Sequence, residues 1–140
     1  MDIPDMNLWV ALVDKRHVHH ARSQAYWEEN YDQGFAFCRI TMLGFLRVVT
    51  NPKALTQPKS PTEAWKLYRD ISVIPQVVFL PEPLELDSSF QTLTTLGDFP
   101  HRLWTDAYLA AFAMASSCRI VSFDDDFARF PGHNFLHLQS

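Results

Sequence analysis

At 140 residues the chain has the length of one domain able to bury a core without disulfide or metal staples. With 47% hydrophobic residues and 14% aromatic ones it is no disordered or low-complexity polymer. Its formal net charge of -4 lacks the basic footprint of an ordinary nucleic-acid binder, although acids that gather around cations are neutralised by them. Cys38 and Cys118 form no CxxC pair, which points to reduced core thiols. The longest nearly uncharged apolar run, Ala107 to Ala115, is too short to span a bilayer, and no basic leader opens the chain. The expectation is a cytoplasmic protein without a membrane segment.

The elements follow in chain order. Asp2 to Asp5 reads as the end of a short strand and Met6 to Val13 as a helix with Leu8, Trp9 and Leu12 on its apolar side. Pro4 fits a central strand only where its missing N–H is harmless. Asp5 either caps the helix or stands free at the strand's carboxyl end, with Asn7 close by. His17, His19 and His20 precede a helix over Ala21 to Tyr31; no Cys or His pair follows at a spacing that would complete a zinc site.

After Gly34 comes a buried strand, Phe35 to Cys38, then a helix over Ile40 to Thr50 with Thr41 as its N-cap. Gly44 costs about 1 kcal/mol in a helix interior relative to alanine, so a close neighbour is expected there. The loop ending at Pro61 leads into a helix through Asp70, for which Ser60, Pro61 and Glu63 spell a capping box. A strand at Val77 to Leu80 and a helix over Leu86 to Leu96, ended by Gly97, complete the middle of the chain.

The last third carries the chemistry. Thr105 is the expected N-cap of an alanine-rich helix with Asp106 in its first turn, where the helix dipole favours an anion. Ile120 to Phe123 reads as a buried strand, and Asp124, Asp125 and Asp126 stand where it stops. Phe135 to Leu138 adds an edge strand. Alternating strands and helices imply an α/β three-layer sandwich with a mainly parallel sheet, in a single domain covering 1–140. Ligands in such sheets bind beyond the strands' carboxyl ends. Clustered carboxylates suit a hard cation, Mg²⁺ or Mn²⁺, and Asp106 and Asp124 are its expected ligands, with Asp126 in reserve.

The motifs "IPDMNLWVAL", "CRITMLGFLRVVTNP", "WTDAYLAAFA" and "RIVSFDDDFARFPG", in that order, resemble a PIN domain of the VapC toxin type. The resemblance implies a metal-dependent endoribonuclease in which Asp5 joins Asp106 and Asp124, and water attacks in line to leave a 5′ phosphate and a 3′ hydroxyl. It also implies orienting roles for Asn7, Thr41 and Ser122, an RNA contact for Arg47, a homodimer, and a cognate antitoxin laid across the acidic pocket. The chain departs from the family in one place: where a TxxE arrangement is usual, it has Thr41, Met42, Leu43 and Gly44, and no acid occurs between Asp32 and Glu63. Two rival readings are a PIN-fold interaction protein without catalysis and a metal-dependent phosphatase. Lys15, Arg16, Arg39, Arg47, Lys53 and Lys59 are the candidate basic rim.

Overall fold

A computed structural model describes residues 1–139. Five strands, β1 (Asp2–Pro4), β2 (Phe35–Phe37), β3 (Val77–Phe79), β4 (Arg119–Ser122) and β5 (Asn134–His137), form one sheet in the order β3-β2-β1-β4-β5. Every pairing is parallel. Six helices connect them: α1 (Met6–Val13), α2 (His20–Asn30), α3 (Arg39–Val49), α4 (Pro61–Ser72), α5 (Leu86–Thr94) and α6 (Trp104–Ser116).

The strand order explains the layers. Right-handed crossovers that step outward from β1 to β2 to β3 lay their helices on one face, and the return from β3 to β4 lays its helices on the other. Two cores result. Phe35, Phe37 and Val121 face α1 to α4, with Trp9 stacked on Phe37 at 4.0 Å and Trp27 on Phe35 at 4.1 Å. Ile3, Ala36 and Ile120 face α5 and α6. Ala107, Ala110, Ala111 and Ala113 are fully buried, so α6 sits close against the sheet as its small residues predict.

Pro4 is accommodated by the ladder. Asp2 N donates to Gly34 O on the β2 side and Asp5 N donates to Val121 O on the β4 side. Alternation turns the Pro4 nitrogen toward β2, where pairing with β1 is confined to Asp2↔Phe35. Capping departs from expectation in two places. Cys38, not Thr41, is the N-cap of α3; Thr41 sits three residues in and accepts a hydrogen bond from Cys38 N at 3.0 Å. Leu103, not Thr105, is the N-cap of α6, because a 3₁₀ turn over His101–Leu103 runs directly into the helix. Asp106 keeps its place in the first turn. The Ser60 and Glu63 capping box forms as expected, with Pro61 opening α4.

At the amino end of the sheet an ion pair between buried Asp2 and half-buried Arg119 ties the first strand to the fourth. Arg119 donates from Nε and Nη2 to the two Asp2 carboxylate oxygens at 2.9 and 2.8 Å. Tyr26 donates its hydroxyl to Asp2 Oδ2 at 2.6 Å, and Asn30 Oδ1 accepts from Arg119 Nη2 at 3.1 Å.

Candidate active site

The sheet order reverses direction at β1, between β2 and β4, and the crevice beyond the carboxyl ends of the strands at such a point is where open α/β sheets bind ligands. β1 and β4 end there side by side, with Pro4 opposite Val121. The residues that follow, Asp5 and Ser122, therefore meet: Ser122 Oγ donates to Asp5 Oδ2 at 2.8 Å. The same hydroxyl oxygen accepts from Asp124 N at 3.0 Å and from Asn7 Nδ2 at 3.3 Å. Fully buried, Ser122 is the pin that holds three of the expected site residues together.

Asp5 caps α1 and stands at the carboxyl end of β1, but not free, and it lies outside the close group of carboxylates that Asp106, Asp124 and Asp126 form. Its extended backbone and its Oδ1, accepting from Met6 N at 2.8 Å, cap α1, while Oδ2 turns to Ser122. Asp124 likewise caps a short turn, Oδ1 accepting from Asp126 N at 2.9 Å. Asp106 reaches over from the first turn of α6. Carboxylate oxygens of Asp106, Asp124 and Asp126 come within 4.8 Å of one another. Asp126 also accepts from Arg102 Nη1 at 2.9 Å, whereas Asp125 is exposed.

The cleft these groups line encloses about 360 Å³, walled by Asp5, Asp106, Asp124, Asn7, Arg47 and Arg102 among others. Thr41 lines it too, but its hydroxyl donates to Cys38 O at 3.1 Å, so its first duty is to hold the start of α3. Arg102 was not singled out from sequence as a cleft residue. Its signal was faint, a cation four residues before Asp106, and the 3₁₀ turn that aims it has no sequence signature.

The electrostatics are those of acids crowded together. Burial, and then the charges of Asp5, Asp124 and Asp126, push Asp106 up to about 6, with Arg102 pulling the other way. Burial raises Asp5 as well, against the lowering effect of its hydrogen bonds from Ser122 and Met6 N. A cation would relieve this repulsion, and the donor set is all oxygen, as Mg²⁺ and Mn²⁺ prefer. Asn7 Oδ1 is buried with no hydrogen-bond partner, an acceptor aimed at nothing the protein itself supplies. The residues present therefore fit a hard divalent cation.

Gly44 lines the same cleft, and its expected close neighbour is Met6, whose side chain lies where a Cβ at 44 would sit. Met6 thus covers the position from which the family pattern would extend a carboxylate. The histidines of the first loop serve structure. His17 Nδ1 accepts from His19 N, His20 Nδ1–H donates to Ala11 O at 2.7 Å, and the His19 ring stacks on Phe123 at 4.1 Å. Of the six candidate rim cations, Arg47 reaches the cleft; Lys15, Arg16 and Lys59 line a separate cavity, and Arg39 lies over the Phe79 ring.

The family model for the PIN domain matches residues 3–132. Among curated relatives in Mycobacterium tuberculosis, ribonuclease VapC41 is 32% identical over 91% of this chain and 92% of its own length. Ribonuclease VapC44 is 34% identical over 96% and 94% respectively. The fold is shared with solved structures of low sequence identity. The Mycobacterium tuberculosis toxin VapC20, described as cleaving the sarcin-ricin loop, superposes with a TM-score of 0.70 at 14% identity, covering 93% of this chain and 96% of that one. VapBC2 from Rickettsia felis, bound to a promoter DNA fragment, gives 0.68 at 13% identity, covering 99% and 98%. The chain belongs to the PIN domain family, among its VapC-type members.

Proposed function

We propose that this protein is an endoribonuclease that hydrolyses RNA phosphodiester bonds in the cleft at the end of β1 and β4, with Mg²⁺ or Mn²⁺ held by Asp106, Asp124 and Asp5 and assisted by Asp126. The observation that carries this reading is the close group of Asp106, Asp124 and Asp126 carboxylates beside a cleft that Asp5 also lines, with Asp5 tied to the Asp124 backbone through Ser122. Bound there, the cation supplies Lewis-acid polarisation of the phosphate and a lowered water pKa.

The chain's own residues supply the rest. Ser122 fixes the rotamer of Asp5, and Asn7 Oδ1 offers an acceptor to an attacking water. Arg47 and Arg102 face the cleft with positive charge and offset the approach of a polyanion to a rim of acids. No side-chain nucleophile is needed. On this reading the chain is a single domain, and no described helix is long and apolar enough to cross a membrane.

The curated relatives are named ribonucleases, and the Rickettsia felis structure is a VapBC complex. By that kinship the protein acts in the cytoplasm as the toxin of a toxin-antitoxin pair, as a homodimer whose acidic cleft is covered by its antitoxin. The test is cleavage of structured RNA in Mn²⁺ by three proteins. Wild type and Lys53→Ala should cut at similar rates, Asp106→Asn should lose most activity, and phosphomonoesters should be left intact. Equal loss in both variants, with the fold retained, would contradict the assignment.

A further inference from the structure

The acid cleft does not end at Arg47. A second cavity of about 260 Å³ lies against it between α3 and α4, walled by Leu46, Thr50, Pro61 and Trp65, and Leu43 and Arg47 line both. We infer that this second cavity seats an unpaired nucleotide adjoining the scissile phosphate, its base stacked on Trp65 and its phosphate held by Arg47. The inference rests on the ribonuclease reading and adds a place where substrate is gripped.

Three observations carry it. First, Trp65 is 44% exposed, whereas Trp9 in the core is 1% exposed. Among the described residues no ring is stacked on Trp65, and its one aromatic neighbour, Tyr68, meets it edge-on at 6.1 Å and 84°. An indole left at a cavity wall is a stacking platform, and base–aromatic stacking tolerates any base. Second, Arg47 is exposed and its guanidinium makes no ion pair or side-chain hydrogen bond among the described residues. Arg102 and Arg119, by contrast, are each committed to an aspartate. Third, the cavities share walls, so a strand with one phosphate among the acids continues over Leu43 directly onto Arg47 and Trp65. Beside a cleft of carboxylates, an uncommitted cation is where the next phosphate is best received.

The test uses the Asp106→Asn protein, which binds without cutting, titrated with a short mixed-sequence single-stranded RNA in Mg²⁺. Tryptophan emission and the anisotropy of an end-labelled probe are read together. Emission should be quenched on binding, and Trp65→Leu should remove the share of the quenching that Trp65 contributes beside Trp104, which is 49% exposed, and weaken affinity about tenfold. Trp65→Phe should retain most of the affinity. Arg47→Ala should flatten the dependence of log affinity on log salt by about 0.7, the loss of one single-strand phosphate contact.

Unchanged quenching and affinity in Trp65→Leu would overturn the subsite, and Asp106-dependent RNA cleavage by the wild type would then leave the ribonuclease reading standing without it. A Trp65→Leu protein that sediments as a monomer where the parent is a dimer, with RNA affinity unchanged, would overturn it in favour of a protein contact. A wild type that cuts no RNA, with a parent variant that binds none, would remove the ribonuclease reading and the subsite together.

Discussion

Ser122 Oγ donates to Asp5 Oδ2 at 2.8 Å across 117 positions of sequence, and its oxygen accepts from the Asp124 backbone at 3.0 Å. One hydroxyl thus sets the spacing between the two strand-end acids. Ser122→Ala should leave the sheet intact and cost about 1–3 kcal/mol of stability, because it leaves buried partners without their hydrogen bond. It should lower RNA cleavage or Mn²⁺ affinity by about 10- to 100-fold, as loss of a group that orients metal ligands does. Urea unfolding beside calorimetric Mn²⁺ titration separates the two effects. A large stability loss with unchanged Mn²⁺ binding would make Ser122 merely a core residue.

Asp106 couples the site to pH. Its carboxyl is pushed up to about 6 from 3.8, so between those values the folded chain binds more protons than the unfolded one. The group's contribution to stability is therefore present in acid and lost as pH rises through about 6, leaving an ionised carboxylate that the cation-free fold tolerates poorly. Asp106→Asn should be more stable than wild type at pH 7.5 and show no gain near pH 4. Mn²⁺ should raise the melting temperature of wild type well above its effect on the variant. Urea midpoints across pH check the sign.

How much of this was legible beforehand depended on range. Strand ends, the helix starts at Met6 and Pro61, and the acids themselves are local signals, and the structure places them within a residue or two of expectation. The capping of α3 and α6 was misassigned because Cys38 and Leu103 are poor caps by composition. Tertiary context chose them: Cys38 follows directly on β2, and a 3₁₀ turn displaced Thr105. Arg102 gave only a faint signal, because the 3₁₀ turn that aims it has no sequence signature, and Trp65 gave none, because its cavity forms only where α3 and α4 pack together. Met6 over Gly44 lay between. A glycine in a helix announces a close neighbour but not which one.

Gly44 and Met6 offer a repair experiment. Gly44→Glu alone forces Met6 aside and should destabilise the fold by about 1–3 kcal/mol, the usual cost of overpacking. Paired with Met6→Ala, the new carboxylate gains room within the cleft and should tighten Mn²⁺ binding. Calorimetry on the single and double variants reads this directly. A double variant that binds Mn²⁺ no better than wild type would mean that position 44 does not address the cation.

The ion pair at the far end of the sheet has a purely structural reading. Arg119→Ala leaves the buried Asp2 carboxylate with the Tyr26 hydroxyl as its remaining side-chain donor, and losing the charged partner should cost about 1.5–3 kcal/mol. Chemical unfolding should show that loss. In the protein that remains folded, Mn²⁺ affinity should be unchanged, because the pair lies at the opposite end of β1 and β4 from the acids.

The central claim is that acids from both ends of the chain share one cation. Its most direct measurement is anomalous diffraction from a crystal grown in Mn²⁺. The account predicts a peak with Asp106 and Asp124 oxygens at about 2.1–2.2 Å, and Asp5 reached directly or through a single water. Peaks confined to other surfaces, in a crystal of protein that still cleaves RNA, would contradict it.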